Sequence, residues 1–539
     1  MRKFVFVTGG VLSGLGKGVV SASLGLLFQE QGYRVSLQKI DPYVNVDAGT
    51  MNPYEHGEVF VTHDGKETDL DIGRYERFLG IELSASNYVT TGQVYWNVIR
   101  KERRGMYLGQ TVQVIPHITD EIKHSVVQPL EETNAQIGVI EVGGTVGDIE
   151  SQPFLEALRQ MKDELPREDT LFVHVTLLPR LTTSEELKTK PTQHSVKELR
   201  AIGIQPDVIV ARCDQPLPEA VKRKIALFCD VHVDDVIEDP DLPSIYHAPL
   251  VLQTNGLDHR VALGLGLPHV EPDLHAWREQ IDDVERPIRT ARIGIVGKYV
   301  ELQDAYISIR EALLHVGASE KADVKIEWIP AESLDGADPA PILAGLDGLL
   351  VPGGFGDRGI EGKIEAVEYA RTHRLPFFGL CLGLHCAVIE FARNVLDLGG
   401  ANSTEFDPHT PHPVIGLLEG QRDVTHKGGT MRLGAYPAIL ADGSISRASY
   451  GVQQIDERHR HRYEFNPIYR DRIEAAGMRV AGTSPDGTLV EIVELPNHPW
   501  FVGVQFHPEF TSRFLSPHPL FLGFVQSCLE RRSSSSSPS

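Results

Sequence analysis

The stretch Pro376-Phe-Phe-Gly-Leu-Cys-Leu-Gly383 is a short apolar run that ends in the pattern Gly-x-Cys-x-Gly. Such a run predicts a buried strand. A nucleophile between two glycines is typical of the sharp strand-to-helix turn of an α/β fold. The glycines permit that turn, and the helix N-terminus behind it favours a thiolate at Cys381. A buried cysteine is more often an inert core residue, but the flanking glycines favour a nucleophile here.

Two other segments of the second half complete a candidate catalytic set. A predicted strand over 348–351 runs into Val351-Pro-Gly-Gly-Phe-Gly356, a glycine loop of the kind that directs backbone N–H groups at an oxyanion. A predicted strand over 501–506 is followed by His507-Pro-Glu509. A thiolate nucleophile needs an imidazole to move its proton, and the imidazole needs an acceptor that fixes its tautomer. The sequence therefore predicts Cys381, His507 and Glu509 as the catalytic residues.

Both halves of the chain alternate β-branched apolar runs with helical segments, which predicts an α/β fold class with two doubly wound domains. The predicted strands lie over 3–8, 34–40, 137–142, 170–177 and 207–211 in the first half, and over 292–296, 324–329, 348–351 and 376–380 in the second. A helix is predicted over 18–31. We expect domains over 1–267 and 291–530, a linker over 268–290, and a disordered serine-rich tail over 531–539.

Composition narrows the class of protein. A chain of 539 residues is too long for one hydrophobic core. With 52 basic and 74 acidic residues its net charge is −22, which is unfavourable for general binding to nucleic acid or to anionic membranes. Five scattered cysteines form no disulfide or zinc pattern, and no apolar run is long enough to span a membrane. We therefore expect a cytoplasmic protein without nucleic-acid or membrane partners.

The glycine-rich segment Thr8–Gly18 joins a predicted strand to a predicted helix, which is where backbone N–H groups form a phosphate site. The segment departs from the standard P-loop, because five residues separate Gly10 from Gly16 and Gly18 replaces the Ser or Thr that binds magnesium. Carboxylates must then hold the metal, and Asp71 and Glu141 are the candidates. A glycine-rich turn without a ligand is the alternative, and each acid alone is more often a solvated residue.

Long segments of the chain resemble the CTP synthase family, in which a synthetase domain is fused to a class I glutamine amidotransferase domain. The resemblance covers residues 1–525 and is carried by FVTGG over 6–10, KIDPY over 39–43, HGEVFV over 56–61, QVIPHIT over 113–119, GGTVGDIE over 143–150, KTKPTQ over 188–193 and NSTEF over 402–406. It implies a reaction in which UTP, ATP and glutamine give CTP, ADP, phosphate and glutamate. ATP would phosphorylate the uracil 4-oxygen, and ammonia would travel from Cys381 to that site through an internal passage.

The resemblance also implies binding roles for individual residues. ATP would be bound by Gly14, Leu15, Gly16, Lys17, Gly18, Val19, Lys39, Asp71, Pro240, Asp241 and Leu242. UTP, or CTP as feedback inhibitor, would be bound by Ser13, Asp148, Ile149, Glu150, Lys188, Thr189, Lys190, Pro191, Thr192, Gln193 and Lys224. Glutamine would be bound by Gly354, Leu382, Gly383, Leu384, His385, Glu405 and Arg462, and Mg²⁺ by Asp71 and Glu141.

The chain departs from the family pattern at three places. His385 stands where the family commonly has Gln, and Pro240 stands where a lysine is expected beside the adenine. The stretch 419–429 is short in a region that usually forms a lid linked to activation by GTP. The resemblance further implies a homotetramer. Two alternatives stay open at this point: another ATP-dependent amidotransferase, of the cobyrinic acid amidase type, and a P-loop ATPase of the partitioning type.

Overall fold

The computed structural model describes residues 2–181, 186–417 and 431–536. The strands within these ranges are β1 (Lys3–Gly9), β2 (Val35–Asp41), β3 (Phe60–Val61), β4 (Glu67–Thr68), β5 (Tyr88–Thr90), β6 (Ile137–Val142), β7 (Thr170–Leu177), β8 (Arg180–Leu181), β9 (Glu186–Leu187), β10 (Val208–Cys213), β11 (Val236–Pro240), β12 (Arg289–Gly297), β13 (Ala322–Pro330), β14 (Gly348–Val351), β15 (Phe377–Leu380), β16 (Ala401–Ser403), β17 (His412–Leu417), β18 (Arg432–Leu440), β19 (Gln454–His461), β20 (Tyr463–Phe465), β21 (Arg479–Thr483), β22 (Val490–Glu494) and β23 (Phe501–Val504).

The α-helices of the same ranges are α1 (Lys17–Glu30), α2 (Pro53–His56), α3 (Leu70–Leu79), α4 (Thr91–Arg103), α5 (Thr119–Glu132), α6 (Gln152–Glu164), α7 (Lys190–Ala201), α8 (Glu219–Cys229), α9 (Ala248–Thr254), α10 (Leu257–Gly264), α11 (His275–Glu285), α12 (Ile307–Ser319), α13 (Ala340–Leu343), α14 (Ile360–Thr372), α15 (Leu382–Asn394), α16 (Ile445–Tyr450), α17 (Arg470–Ala475) and α18 (Pro519–Ser536). None of the helices in the described part of the chain is both long enough and apolar enough to cross a membrane.

The first compact unit comprises residues 1–47 and 71–278. Its sheet has the strand order β11-β10-β7-β1-β6-β2-β5, and every pair in it is parallel. Strand β1 is buried between β6 and β7, as its apolar sequence predicts. Because successive crossovers diverge to either side of β1, the crevice at its carboxyl end is the place where open α/β sheets bind ligands.

The second compact unit comprises residues 48–70 and 279–539. The strands β13-β12-β14-β15-β23 are parallel neighbours, and β22, β21, β18 and β19 extend the same sheet in antiparallel fashion. Apolar side chains of α14 and α15 pack on one face of the sheet, and those of α12 and α18 on the other. The predicted α/β fold class is confirmed, and the antiparallel extension is a feature that strand–helix alternation did not predict.

Three boundaries differ from the sequence-based expectation. Residues 48–70 group with the second unit although they lie within the expected first domain over 1–267. The expected linker over 268–290 contains helix α11, and the two units divide within that helix. Helix α18 runs to Ser536 within the expected disordered tail over 531–539, and residues 537–539 lie outside the described residues.

Helix α14 packs on the chain after β13 so closely that Gly362 has no room for a side chain. A Cβ at Gly362 would overlap the backbone carbonyl oxygen of Ala331. We expect Gly362→Ala to lower the melting temperature of the second unit by several degrees, because overpacking costs about 1–3 kcal/mol. That cost outweighs the gain of at most ~1 kcal/mol that alanine brings to a helix interior. Differential scanning calorimetry measures the change.

Gly399→Ala is the matched control, because its Cβ would meet no described atom within 4 Å. We expect this variant to have the same melting temperature as the unmodified protein. A Gly362→Ala protein that melts at or above the unmodified temperature would contradict the packing described for α14.

Candidate active sites

Cys381 occupies a strained turn between β15 and α15. Its backbone has φ 50° and ψ −97°, in the left-handed half of conformational space, and the residue is the N-cap of α15. A Cβ at Gly379 would lie 2.7 Å from the carbonyl carbon of Gly383, and a Cβ at Gly383 would overlap the carbonyl oxygen of Val351. Both glycines are therefore required by close backbone approach. The turn places the thiol at the N-terminus of the helix, where the dipole favours a thiolate.

His507 and Glu509 form the predicted pair at the end of β23. The distance from His507 Nδ1 to Glu509 Oε1 is 2.8 Å, and both side chains are buried. Burial disfavours the charged ring, but the Glu509 carboxylate and the Cys381 thiol outweigh it and raise the pKa of His507 to about 10. The His507 ring and Cys381 Cβ lie 2.8 and 3.6 Å from the point that a Gly353 Cβ would occupy. The structure thus brings a thiol, an imidazolium and a carboxylate together.

Sequence analysis missed Gln505, which lies in the same cluster. Gln505 is fully buried, and its Nε2 is 3.8 Å from Cys381 Sγ. Its Oε1 is 2.9 Å from Nε2 of His385, which is also buried. The signal in the sequence was the closeness of 505 to 507, at the end of a predicted strand over 501–506. The predicted contact between His385 and glutamine stays untested.

Two of the predicted glutamine-binding residues, Glu405 and Leu382, lie against the glycine loop after β14. Gly356 N–H donates a hydrogen bond of 2.9 Å to Glu405 Oε1, and burial raises the pKa of that carboxyl. Lys298, another residue that the sequence analysis missed, donates from Nζ to the carbonyl oxygen of Phe355. The loop is therefore held from both sides. Gly354 lies against Leu382, the first residue of α15. Gly383 and Leu384 follow in the same helix, and Arg462 follows β19.

A cavity of about 280 Å³ lies beside this cluster within the second unit. Its wall includes Gly353, Gly354, His507 and Glu509. The segment 49–59 supplies the opposite part of the wall, a contribution that sequence analysis did not predict. A small polar substrate therefore has room next to the candidate nucleophile.

In the first unit, the glycine-rich loop places Lys17 at the carboxyl end of the sheet. Lys17 Nζ donates to the carbonyl oxygen of Gly144 over 2.9 Å, and burial lowers the pKa of this lysine. A Cβ at Gly18 would lie 2.5 Å from Asp71 Oδ1. The guanidinium of Arg74, which pairs with this carboxylate, lies equally close to the same point, so both side chains fill the space next to Gly18. The role of Asp71 as a magnesium ligand in place of the missing hydroxyl stays a prediction.

Acidic side chains converge next to this loop around the ammonium of Lys39. Lys39 Nζ contacts Asp71 Oδ2 and is 2.9 Å from Glu141 Oε1, and Asp41 Oδ1 is 3.8 Å away. Burial raises the pKa of Asp41 to about 6 and outweighs the effect of Lys39, and one of its oxygens has no hydrogen-bond partner in the described residues. Oxygen ligands of this kind suit Mg²⁺, which needs only one or two protein carboxylates. No preformed group of three metal-type ligands occurs among the residues described.

A second cavity, of about 300 Å³, lies beside the glycine-rich loop. Its wall includes Gly14, Leu15, Arg212 and Asp241. Arg212 was missed by the sequence analysis. Its guanidinium donates to Asp241 Oδ1 over 2.9 Å and to the carbonyl oxygen of Pro240 over 3.3 Å. A cation is therefore present at this segment although Pro240 occupies the position expected to hold a lysine.

The predicted UTP segments lie on the same side of the first unit. Helix α7 begins at Lys190 and packs against the loop, because a Cβ at Gly10 would overlap Ser195. Thr192 is buried, with its hydroxyl 3.1 Å from that of Thr176, whereas Lys188 and Lys190 lie near the surface. Val146 N–H donates to Gly9 O, which ties the loop over 143–150 to β1.

The other residues predicted to bind nucleotides lie in three places. The exposed ones are Ser13, Asp148, Ile149, Glu150 and Lys224, and those at the start of α7 are Thr189, Pro191 and Gln193. Val19 follows the phosphate loop, and Leu242 follows β11.

Comparison with known proteins matches the two halves of the chain to two family models. The family model of the CTP synthase N-terminus matches residues 3–267, and that of class I glutamine amidotransferase matches residues 301–527. A CTP synthase of Caldanaerobacter subterraneus subsp. tengcongensis is 57% identical over 98% of both chains. One of Thermus thermophilus is 56% identical over 98% of this chain and 97% of its own. The solved glutaminase domain of Trypanosoma brucei CTPS with bound acivicin is 37% identical over 44% of this chain and 94% of its own, with a TM-score of 0.42.

Gly18→Ser tests the role of the contact with Asp71. We expect at least a ~10-fold loss of MgATP affinity, because the added side chain displaces the Asp71 carboxylate, and a change of 1.4 kcal/mol in binding is tenfold. Isothermal titration calorimetry measures the affinity, and glutamine hydrolysis by the same variant reports on its second unit. Unchanged or tighter MgATP binding would mean that serine restores a standard P-loop, in conflict with this arrangement.

Glu509→Gln tests the electrostatic role of the carboxylate at His507. The pKa of His507 falls when the charge that raises it is removed, so the imidazolium is lost at lower pH. We expect the alkaline limb of the pH profile for glutamine hydrolysis to move from near pH 10 toward neutrality. We also expect the rate at neutral pH to fall by roughly 10²–10⁴. Steady-state kinetics between pH 6 and about 10 measure both effects.

Glu457→Gln is the matched control, because Glu457 Oε1 is also 2.8 Å from a buried histidine, His518. This second pair lies outside the catalytic cluster. We expect its loss to leave the pH profile in place, and an equal displacement in both variants would refute a specific role of Glu509.

Proposed function

Since the chain belongs to the CTP synthase family, we propose that its two sites together aminate UTP to CTP, with ATP as co-substrate and glutamine as the source of ammonia. The observation that carries the glutaminase assignment is the strained turn at Cys381 beside the His507–Glu509 pair. The amidase and partitioning-type alternatives are not favoured, since the full-length relatives are CTP synthases.

In the glutaminase site, the thiolate of Cys381 attacks the side-chain amide carbon of glutamine. Backbone N–H groups near Gly354 and Leu382 stabilise the oxyanion. The His507 imidazolium gives its proton to the departing nitrogen, which leaves as ammonia. A γ-glutamyl thioester on Cys381 remains. His507 then takes a proton from water, which attacks the thioester and releases glutamate and the thiolate. Glu405 and Arg462 have the charges needed to bind the ammonium and carboxylate of glutamine.

In the synthetase site, the γ-phosphoryl group of ATP is transferred to the 4-oxygen of UTP. Lys17 and the N-terminus of α1 bind the phosphates, and Lys39 balances the charge that develops during transfer. Asp71 and Glu141 would hold Mg²⁺, which would neutralise phosphate charge and orient the oxygens. Ammonia then attacks carbon 4 and phosphate leaves, which gives CTP, ADP and phosphate. The passage of ammonia between the two sites stays a prediction.

Nucleotide recognition is assigned to the segments around the phosphate loop. The cavity that contains Arg212 and Asp241 has the size and position for the adenosine of ATP. The start of α7 supplies Lys190 for UTP, and Asp148 and Glu150 belong to the segment proposed for feedback inhibition by CTP. GTP is proposed as an allosteric activator, and the short segment 419–429 that bears on this proposal lies outside the described residues.

We also propose that the protein works as a homotetramer in the cytoplasm. Large apolar side chains that are exposed in the first unit support self-association; they include Trp96, Ile99, Met106, Leu108 and Ile149. All five cysteines are buried and free, which suits a reducing compartment. Size-exclusion chromatography with light scattering, with and without ATP and UTP, measures the assembly.

The direct test of function is to mix the purified protein with UTP, ATP, Mg²⁺ and glutamine and to measure CTP by chromatography. Omitting each component in turn identifies what the reaction requires. Adding GTP to the same assay tests activation. Absence of CTP from an assay that contains every component would refute the proposed reaction.

Cys381→Ala separates the two half-reactions. We expect this variant to lose glutamine-dependent CTP formation by at least ~10³-fold, because no nucleophile remains. We expect it to retain synthesis from added ammonium chloride at an elevated pH, where more ammonia is unprotonated. Cys386→Ala is the matched control, because this thiol is buried one turn further along α15 and burial raises its pKa to about 12. Loss of both activities in a folded Cys381→Ala protein would contradict the division of labour.

A further inference from the structure

Four polar side chains meet at the start of α15, and only two of them belong to the catalytic trio. Cys381 and His385 are four residues apart and lie on one face of the helix turn, whereas Gln505 and His507 are two residues apart just after β23. All four are buried. We propose that Gln505 donates a hydrogen bond that stabilises the Cys381 thiolate, and that His385 is the positioning residue that orients the Gln505 amide. This inference rests on the proposed glutaminase function.

The position of Gln505 is fixed by its backbone and by both ends of its amide. Its N–H donates to Glu491 O over 2.8 Å, which continues the pairing of β22 and β23. Its Oε1 faces His385 Nε2 at 2.9 Å, and its Nε2 faces Cys381 Sγ at 3.8 Å. An amide nitrogen carries two protons and only donates. The group that faces the sulfur is therefore one that binds a thiolate better than a thiol.

His385 determines which end of the amide faces the sulfur. Burial lowers the pKa of this histidine to about 4, so the ring is neutral and carries one proton. Because an amide oxygen only accepts hydrogen bonds, the His385 proton lies on Nε2 when that oxygen faces it. An inverted amide would place two donors against this N–H and an acceptor against the thiolate. With its proton on Nε2, the neutral histidine favours the orientation in which the amide oxygen faces the ring and the amide nitrogen faces the sulfur.

The charge of His507 changes during the reaction, whereas the amide of Gln505 stays neutral and keeps its donor. His507 loses its proton to the departing ammonia and regains one from the attacking water before the thiolate leaves the thioester. Gln505 therefore offers a hydrogen-bond donor to the sulfur at every stage. The other charged and titratable groups around Cys381 come from several elements: Glu509 after β23, His459, Arg460 and His461 on β19, and Lys298 after β12. The carbonyl oxygen of Arg460 lies 3.9 Å from the sulfur of Cys381. Because a carbonyl oxygen disfavours a thiolate, the hydrogen bond from Gln505 offsets its effect.

The test measures the ionisation of Cys381 in the full-length protein through its rate of alkylation by iodoacetamide between pH 5 and about 10. Mass spectrometry of the peptide that contains Cys381 separates it from the four other thiols. We expect Gln505→Leu to move the alkylation profile toward higher pH, because the thiolate loses a hydrogen-bond donor that the thiol does not need. We expect Gln505→Glu to move it further, because a carboxylate repels the thiolate. Differential scanning calorimetry reports that the second unit of each variant is folded.

His385 provides the second set of variants and decides the matter if Gln505 variants do not fold. We expect His385→Leu to move the profile in the same direction as Gln505→Leu. His385→Gln, which keeps an N–H donor, should recover most of that shift. Gln526→Leu is the matched control for a glutamine at the surface, where Gln526 donates to Glu320, and should leave the profile unchanged. Alkylation profiles that coincide with the unmodified protein in folded His385→Leu or Gln505→Leu variants would overturn the inference. Such a result leaves the proposed function intact, whereas absence of glutamine-dependent CTP formation in the unmodified protein would refute the function itself.

Discussion

The glutaminase site depends on the parallel alignment of β14, β15 and β23. Hydrogen-bonded register fixes Leu350 beside Phe378, and Phe378 beside Val502. Because parallel strands end at the same edge of a sheet, the glycine loop after β14, the turn after β15 and the segment after β23 must converge there. Residues that are 124 positions apart in the chain, such as Cys381 and Gln505, therefore come into contact. The chemistry follows from this register.

Close backbone approach explains the glycines at both candidate sites. Gly383 lies against the carbonyl of Val351, and Gly18 lies against the Asp71 carboxylate. In the first case the absence of a side chain lets the helix begin beside the neighbouring strand. In the second it leaves room for the paired side chains of Asp71 and Arg74, which belong to α3.

Buried charges at both sites are arranged in opposing sets, as the cost of burial requires. Lys39 lies among carboxylates in the first unit, and His507 lies between a carboxylate and a thiol in the second. In the first cluster the ammonium of Lys39 offsets the charge of the carboxylates. In the second cluster the proton on His507 offsets the charge of Glu509. The raised pKa values of His507 and Asp41 are the electrostatic result of this crowding.

The sequence alone determined the α/β class, most central strands and the trio of Cys381, His507 and Glu509, because these features follow from local periodicity, glycine spacing and the chemistry of one strand end. Only the tertiary structure decided that residues 48–70 join the second unit, that Arg212 lies against Pro240, and that α18 extends to Ser536. It also decided that His385 faces Gln505. These outcomes depend on contacts between residues far apart in the chain. Local patterns carry no record of such contacts, because the same buried position can be satisfied by any neighbour of suitable shape and polarity.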